Sequence, residues 1–134
     1  MALAVVIALV AIQLVPAPQT NPPVDSDVPA PDAVRVTLRR ACYDCHSNET
    51  VWPWYGRIAP LSWVLAYDVA EGRKALNFSA WASLSSEQQA ALLKESWEEI
   101  AEGEMPPWYY GVMHRDAALS EGDRGALRDW ATGP

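Results

Sequence analysis

The sequence predicts a small all-α domain of about four helices, preceded by an apolar N-terminal helix. Two observations carry this prediction. No alternation of apolar and polar residues continues beyond four positions, so strands are not expected. Beyond residue 31, apolar residues instead recur at helical spacing, in segments that long loops separate. Long loops in a domain of this size usually bind something.

Residues 1–15 form the apolar segment, in which Gln13 is the one polar residue. Fifteen helical residues would span about 22 Å, which is short of the ~30 Å hydrocarbon core of a bilayer. We therefore expect a signal peptide or membrane anchor, with a buried core helix as the alternative. No Lys or Arg precedes Arg35. This missing basic stretch indicates either that the true start lies upstream or that the N-terminal amine supplies the only positive charge.

Residues 16–31 follow as a proline-rich segment, with Asn, Asp and Ser between the prolines. Proline removes backbone donors and favours extended conformations, so the sequence predicts a semi-rigid linker here. Residues 32–134 then form the predicted functional domain. An apolar start, a linker and a domain are typical of an exported protein. We therefore expect a periplasmic or otherwise extracytoplasmic location, with residues 1–15 as a possible membrane attachment.

The first two helices of the domain are predicted from apolar spacing. Residues 32–44 carry Val34, Leu38 and Ala41 on one face, which brings the following cysteines close to that face. A second helix is expected over residues 60–75, since proline suits the first turn of a helix.

The last two helices carry capping signals. Ser85 followed by Gln88 predicts a capping box for a helix that runs to about residue 102, where Gly103 is a natural stop. Ser120 followed by Asp123 predicts the start of a fourth helix, which ends before the final Gly-Pro.

Charge and cysteine content exclude several classes of protein. The chain carries 17 acidic and 10 basic side chains, a formal net charge of −7, so a nucleic-acid binder is not expected. Two cysteines are too few for a disulfide-dense scaffold, and too few for a four-cysteine zinc site.

The two cysteines lie in the motif Cys-Tyr-Asp-Cys-His at residues 42–46. This C-x-x-C-H spacing is the attachment signature of c-type haem. Two thiols three residues apart can form thioethers with the two vinyl groups of one porphyrin, and the next histidine can present a nitrogen to the iron. The motif predicts one covalent haem c on Cys42 and Cys45, with His46 as the proximal iron ligand.

Three alternatives compete with this interpretation of the motif. A structural zinc site would need four ligands, which Cys42, Cys45, His46 and His114 could supply. A redox dithiol of the thioredoxin kind would need a βαβ context, which the sequence lacks. A disulfide between the two cysteines would close a very small loop with little entropic benefit. The expected export favours haem, because c-type haem is attached on the oxidising side of membranes.

A sixth iron ligand is predicted at Met105, in the stretch Gly-Glu-Met-Pro-Pro-Trp at residues 103–108. Two prolines stiffen the loop and limit how far the thioether sulfur can move. A His/Met ligand pair raises the reduction potential above that of a bis-histidine pair. His114 and Met113 are the alternative ligands, and an open sixth position is a further alternative.

Other residues are expected to surround the haem. Seven aromatic residues flank the motif or the methionine loop, and some of them are predicted to line the pocket, with Trp54 and Trp108 as the chosen candidates: Trp52, Trp54, Tyr55, Trp63, Trp108, Tyr109 and Tyr110. Arg57 is a candidate partner for a propionate. By analogy with cytochromes c, a carbonyl in the region of Pro60 is expected to accept the Nδ1–H of His46. The tryptophans on helix faces are expected to pack helix against helix: Trp81, Trp97 and Trp130.

From Cys42 onward the chain resembles the small haem-binding domain of bacterial exported monohaem c-type cytochromes. The resemblance is carried by CYDCHSNETVWPWYGRIAP at 42–60, SWVLAYDVAEGRKALNFSAW at 62–81 and EIAEGEMPPWYYGVMHRDAALS at 99–120. The stretch IQLVPAPQTNPPV at 12–24 is similar to the membrane-proximal start of that family. The resemblance implies a cytochrome c-like α fold, covalent haem, His46 as proximal ligand and Met105 as distal ligand.

The expected function is therefore electron transfer by a carrier without catalytic residues or a small-molecule substrate. The alternative is a haem-based sensor or a peroxidase-like protein with an open or displaceable sixth position. An acidic run precedes and enters the methionine loop, at Glu95, Glu98, Glu99, Glu102 and Glu104. Such a run is typical of a solvated helix face, and its alternative role is to steer a basic redox partner to the haem edge. Since the haem propionates would add to the net charge of −7, we expect a partner with a basic docking surface.

Overall fold

A computed structural model describes residues 1–133, and over these residues the chain is helical without any strand. The all-α prediction is confirmed. The α-helices are α1 (Ala2–Ile12), α2 (Asp32–Ala41), α3 (Tyr43–His46), α4 (Leu61–Ala75), α5 (Ser86–Glu102), α6 (Trp108–Met113) and α7 (Glu121–Thr132). Short 3-10 helices lie at Trp54–Arg57, Phe78–Ser83 and Arg115–Ala117.

The helix ends follow the local sequence closely where a cap was predicted. The Ser85 and Ser120 side chains each accept a hydrogen bond from the backbone three residues on, and both capping boxes are complete. Gly103 ends α5 in the left-handed conformation, with φ of 83°, which a residue with a side chain rarely adopts.

The predicted helix over residues 32–44 is wrong in one respect, because it is interrupted. Cys42 leaves helical geometry with φ of −125°, so α2 ends at Ala41 and a separate single turn, α3, carries the rest of the motif. The turn α6 was not predicted, since its six residues give no helical periodicity to detect.

The core lies between α2, α5 and α7. Leu38, Ile100 and Leu127 are buried there together with Phe78 and Trp81 from the 3-10 segment. A polar contact also joins α2 to α7. Asp123 accepts a hydrogen bond from Thr37 at 2.8 Å and pairs with Arg40 at 3.0 Å.

The proline-rich segment lies along the domain. Val28 is buried in the core, and Tyr43 donates a hydrogen bond to Asp27. The side chain of Asn48 donates to the carbonyl of Pro23 at 2.7 Å. The segment predicted as a linker is thus packed against the domain. Its carbonyls accept hydrogen bonds from the domain, and its one buried aliphatic side chain, Val28, packs in the core.

Helix α1 contributes nothing to this core, as none of its residues is buried. Its end is fixed to the domain at Gln13, whose side chain exchanges two hydrogen bonds with the backbone of Ala59. Over residues 1–133, no helix combines the length and the apolar character that crossing a bilayer requires.

Candidate functional site

A cavity of about 410 Å³ opens between α3, α4, α5 and the loop that leads into α6. Its volume falls within the ~300–1,000 Å³ of typical cofactor and ligand pockets. Most of its wall is apolar. Its lining includes Leu38, Leu65, Leu76, Phe78, Leu92, Trp97, Ile100, Leu119, Leu127 and Trp130.

The motif cysteines and histidine all line this cavity. The turn α3 presents them, because the backbone N–H groups of Cys45 and His46 both donate to the carbonyl of Cys42, at 3.2 and 2.9 Å. The cysteines are free of any disulfide. One turn therefore directs two thiols and an imidazole toward the same space.

A glycine on α4 allows that turn to lie close to its neighbour. A Cβ atom at Gly72 would lie 2.6 Å from the carbonyl oxygen of Cys45 and 3.0 Å from the Cβ of the same residue. The clash would involve backbone, which cannot rotate away. Gly72 is therefore the residue that lets α4 support the cysteine turn.

The same end of α4 orients His46. Its Nδ1 atom lies 3.0 Å from the carbonyl oxygen of Gly72 and 3.1 Å from that of Leu76. Because both partners can only accept, Nδ1 carries the hydrogen and Nε2 keeps a free lone pair. The expected acceptor in the region of Pro60 is wrong, since the last turn of α4 supplies both carbonyls.

Burial controls the protonation of these groups. It lowers the pKa of His46, which keeps the imidazole neutral and able to bind a metal. Burial raises the pKa of both Cys42 and Cys45 to about 12, and for Cys45 the nearby carboxylates of Asp44 and Asp68 add to the shift. A redox dithiol needs a lowered thiol pKa, so the geometry disfavours that alternative.

A sulfur atom comes from another wall of the cavity. Met105 is partly buried, packs against the core and lines the cavity together with Pro106 and Pro107. Its backbone N–H donates to the carbonyl of Glu99 at 3.2 Å, which fixes the loop to the end of α5.

His114 lies outside the cavity lining. Its Nε2 atom is 2.6 Å from the hydroxyl of Tyr55, and its ring stacks on Tyr110 with 4.1 Å between centroids. Within residues 1–133 no group of three or more His, Cys, Asp or Glu side chains is arranged to hold a metal. Because His114 lies outside the cavity that Cys42, Cys45 and His46 line, the structure does not bring the four ligands of the zinc alternative together.

The structure does not bring three of the predicted site residues to the cavity. Trp54 and Trp108 are 72% and 82% exposed, and Arg57 lies exposed in the 3-10 turn beside Trp54. In contrast, Trp97 and Trp130, which were expected only to pack helices together, line the cavity as well as the core.

Two carboxylates of the cavity wall, Asp44 and Asp68, were not predicted from the sequence. Asp44 accepts a hydrogen bond from the hydroxyl of Tyr110 at 2.7 Å, and Asp68 accepts one from Tyr109 at 3.1 Å. Burial and the contact with Asp44 raise the pKa of Tyr110. Asp44 could have been noticed from its place inside the motif. The spacing of Asp68 gives no such signal, because its exposure depends on how α4 packs.

The cavity thus combines two thiols and an imidazole nitrogen on one side with a thioether sulfur from a separate loop. This donor set suits a flat apolar group that carries iron and two reactive vinyl substituents. A family model for a haem-binding domain matches residues 6–133 of the chain. Neither the curated proteins nor the solved structures give a match.

Proposed function

Because the chain belongs to the haem-binding domain family, we propose that it is an electron-transferring c-type cytochrome with one covalent haem. The observation that carries the proposal is the common cavity of the C-x-x-C-H turn and Met105. A haem held there would supply an iron that alternates between the ferric and ferrous states.

Each residue has a distinct role in this proposal. Cys42 and Cys45 form the two thioether bonds and fix the porphyrin against α3. His46 is the proximal ligand through Nε2, and the carbonyls of Gly72 and Leu76 hold its tautomer. Met105 is the distal ligand, and its soft sulfur favours the ferrous state.

The character of the wall supports electron transfer over the sensor or peroxidase alternative. In peroxidase chemistry, a cationic group near the iron stabilises the charge that develops on the departing oxygen. In the described part of the chain, no Lys or Arg and no second histidine lines the cavity. His114, the spare histidine, is hydrogen-bonded to Tyr55 instead.

The charge of the cavity rim suggests the chemistry of a redox partner. In the described part of the chain, the acidic side chains of the lining are Asp44, which lies within the motif, and Asp68, Glu71, Glu95 and Glu99, and no Lys or Arg accompanies them. We propose that the partner presents a basic surface to this rim. Long-range attraction of this kind is screened by salt, so association should slow as ionic strength rises.

We also propose that the protein acts outside the cytoplasm, held at a membrane by residues 1–15. The support is the apolar character of α1, every residue of which is left out of the domain core. Export would bring the chain to the compartment in which haem is attached to C-x-x-C-H motifs.

The test is a redox titration of the full chain, expressed with haem-attachment machinery, followed by exposure of the ferrous protein to carbon monoxide. Electron transfer predicts one reversible one-electron transition and no rapid binding of carbon monoxide, since Met105 fills the sixth position. Immediate binding of carbon monoxide would contradict the proposal and favour the sensor alternative. A His114→Ala variant is the matched control, because this residue lies outside the cavity and its loss should leave both results unchanged.

A further inference from the structure

The point at which α1 leaves the domain is held rigidly. The Gln13 amide donates to the carbonyl of Ala59 at 3.1 Å and accepts from the Ala59 N–H at 2.9 Å. Two residues later, the indole N–H of Trp63 donates to the carbonyl of Val15 at 3.1 Å. These three bonds fix the end of an apolar helix against the start of α4.

Beside this junction, the exposed side of α4 is apolar. Leu61, Val64 and Tyr67 are 52%, 50% and 65% exposed, and Ala70 continues the row at the same interval of three residues. We call these four residues the α4 face. Charge returns farther along the helix, where Lys74 pairs with Glu71 at 2.6 Å.

The surface between α1 and α4 is also indented. Val15, Pro16, Ala17 and Pro18 form a shallow groove with Trp63, Ala66, Tyr67 and Ala70. The groove has almost no polar wall. The apolar surface is therefore continuous from the end of α1 to the third turn of α4.

We propose that the α4 face rests on a lipid bilayer, with Gln13 setting the angle between the membrane-inserted α1 and the domain. The inference rests on the membrane attachment proposed above and adds a second contact to it. The bilayer is inferred from α1, whose aliphatic side chains are exposed and which no charged side chain precedes or follows until Asp25. Such a helix is suited to hydrocarbon rather than to a protein groove.

The chemistry of the face agrees with this occupant. Tryptophan and tyrosine favour the boundary between headgroups and acyl chains, where Trp63 and Tyr67 would lie. The chain has a net charge of −7, so attraction to anionic lipid cannot drive the contact. Binding should therefore occur on neutral phosphatidylcholine, and it should resist added salt.

The test is hydroxyl-radical footprinting of the full-length holoprotein, free in solution and bound to phosphatidylcholine nanodiscs. Leu61 and Tyr67 should lose reactivity several-fold on the nanodisc. Exposed side chains on other elements, Val36 and Trp108, should keep theirs and serve as internal controls. Protection of α1 without protection of Leu61 and Tyr67 would overturn the proposal. Protection of neither would also overturn it, by removing the membrane attachment.

Three further measurements test the role of Gln13, distinguish the bilayer from a second copy of the chain, and separate the membrane contact from the haem chemistry. Gln13→Ala should keep α1 protected while Tyr67 regains reactivity, because the angle is no longer fixed. Protection of Tyr67 that rises with protein concentration in the absence of lipid would contradict the proposal, since it would indicate a second copy of the chain. The absorption spectrum of each sample reports haem attachment independently, so failure of the cytochrome assignment is distinguishable.

Discussion

The two walls of the cavity are built in different ways. The proximal wall, which comprises α3 and the last turns of α4, is held by backbone packing at Gly72 and by hydrogen bonds to main-chain carbonyls. Arg73 adds a hydrogen bond of 2.7 Å to the carbonyl of Ser47. The distal wall, residues 105–113, is held to α3 and α4 by the hydroxyls of Tyr109 and Tyr110.

This difference has a consequence for the proposed cytochrome. Buried backbone contacts are costly to break, so the proximal wall presents the cysteines and His46 in one arrangement. The distal wall depends on a few side-chain hydrogen bonds, on the backbone hydrogen bond from Met105 to Glu99, and on a short helix without a buried residue. We therefore expect haem attachment to withstand changes that loosen the distal wall. Changes that loosen the proximal wall should impair haem attachment.

The largest expected effect is at the attachment points. In Cys42→Ser/Cys45→Ser, both thioether bonds are impossible, so denaturing mass spectrometry should detect no covalent haem. The wild-type chain, expressed with the same attachment machinery, should carry the mass of one haem, as should a Gly125→Ala control. Covalent haem on the double variant, or none on the wild type, would contradict the assignment.

The next largest effect is expected on the proximal wall at Gly72. Its substitution by alanine puts a methyl group against the backbone of Cys45, so we expect a loss of about 2–3 kcal/mol in the free energy of unfolding. Thermal unfolding of the holoprotein would measure this. Gly125→Ala is the control, since its Cβ meets no atom within 4 Å and should stabilise α7 by up to about 1 kcal/mol. Equal stability of the two variants would show that α4 does not support α3 closely.

A smaller and more local effect is expected on the distal wall. Tyr110→Phe removes the hydrogen bond to Asp44, a bond to a charged group worth about 1.5–3 kcal/mol. Amide hydrogen exchange should accelerate in α6 and stay unchanged in α4, with the haem still attached. Tyr67→Phe, on the exposed side of α4, should leave the exchange rates of both α6 and α4 unchanged. Acceleration in α4 would mean that the two walls are coupled and that the comparison is wrong.

The smallest effect concerns the polar contact of α7 with α2. Hydrogen bonds from Ser120 and Thr37, together with Arg40, lower the pKa of Asp123. Asp123→Ala should cost about 1 kcal/mol at pH 7, the usual value of a helix cap. A carboxyl group whose pKa is lowered in the folded state stabilises the fold at pH values above the ordinary Asp pKa of about 3.9. This stabilisation is lost as the pH falls from about 3.9 through the folded-state pKa. The difference in the free energy of unfolding between the variant and the wild type, measured with urea, should therefore become smaller below about pH 4. A difference that widens there would refute this reasoning.

Local signals in the sequence predicted the helix caps and the cavity thiols well. Ser85 and Gly103 act through neighbours three or four residues away, so their roles follow from spacing alone. The motif at residues 42–46 is equally local. These features depend on the chain within one or two turns, and the sequence contains that information directly.

The remaining features depend on contacts between distant segments. The acceptors for His46 come from residues 26 and 30 positions away, and no spacing rule indicates which carbonyls will face the ring. For the same reason, the sequence does not indicate which of Trp54 and Trp97 lines the pocket. A large aromatic side chain suits both a pocket wall and a solvent-exposed turn. Packing alone places Trp97 at the cavity and Trp54 at the surface.

The ferric absorption spectrum of the holoprotein, beside those of its Met105→Ala and Met113→Ala variants, tests the proposed iron ligation most directly. In this ligation a single cavity joins the attached haem and His46 to the sulfur of Met105. The ligation predicts the weak long-wavelength band of methionine-ligated ferric haem in the wild type and in Met113→Ala, and its loss in Met105→Ala. Survival of that band in Met105→Ala, or its absence from the wild type, would contradict the account.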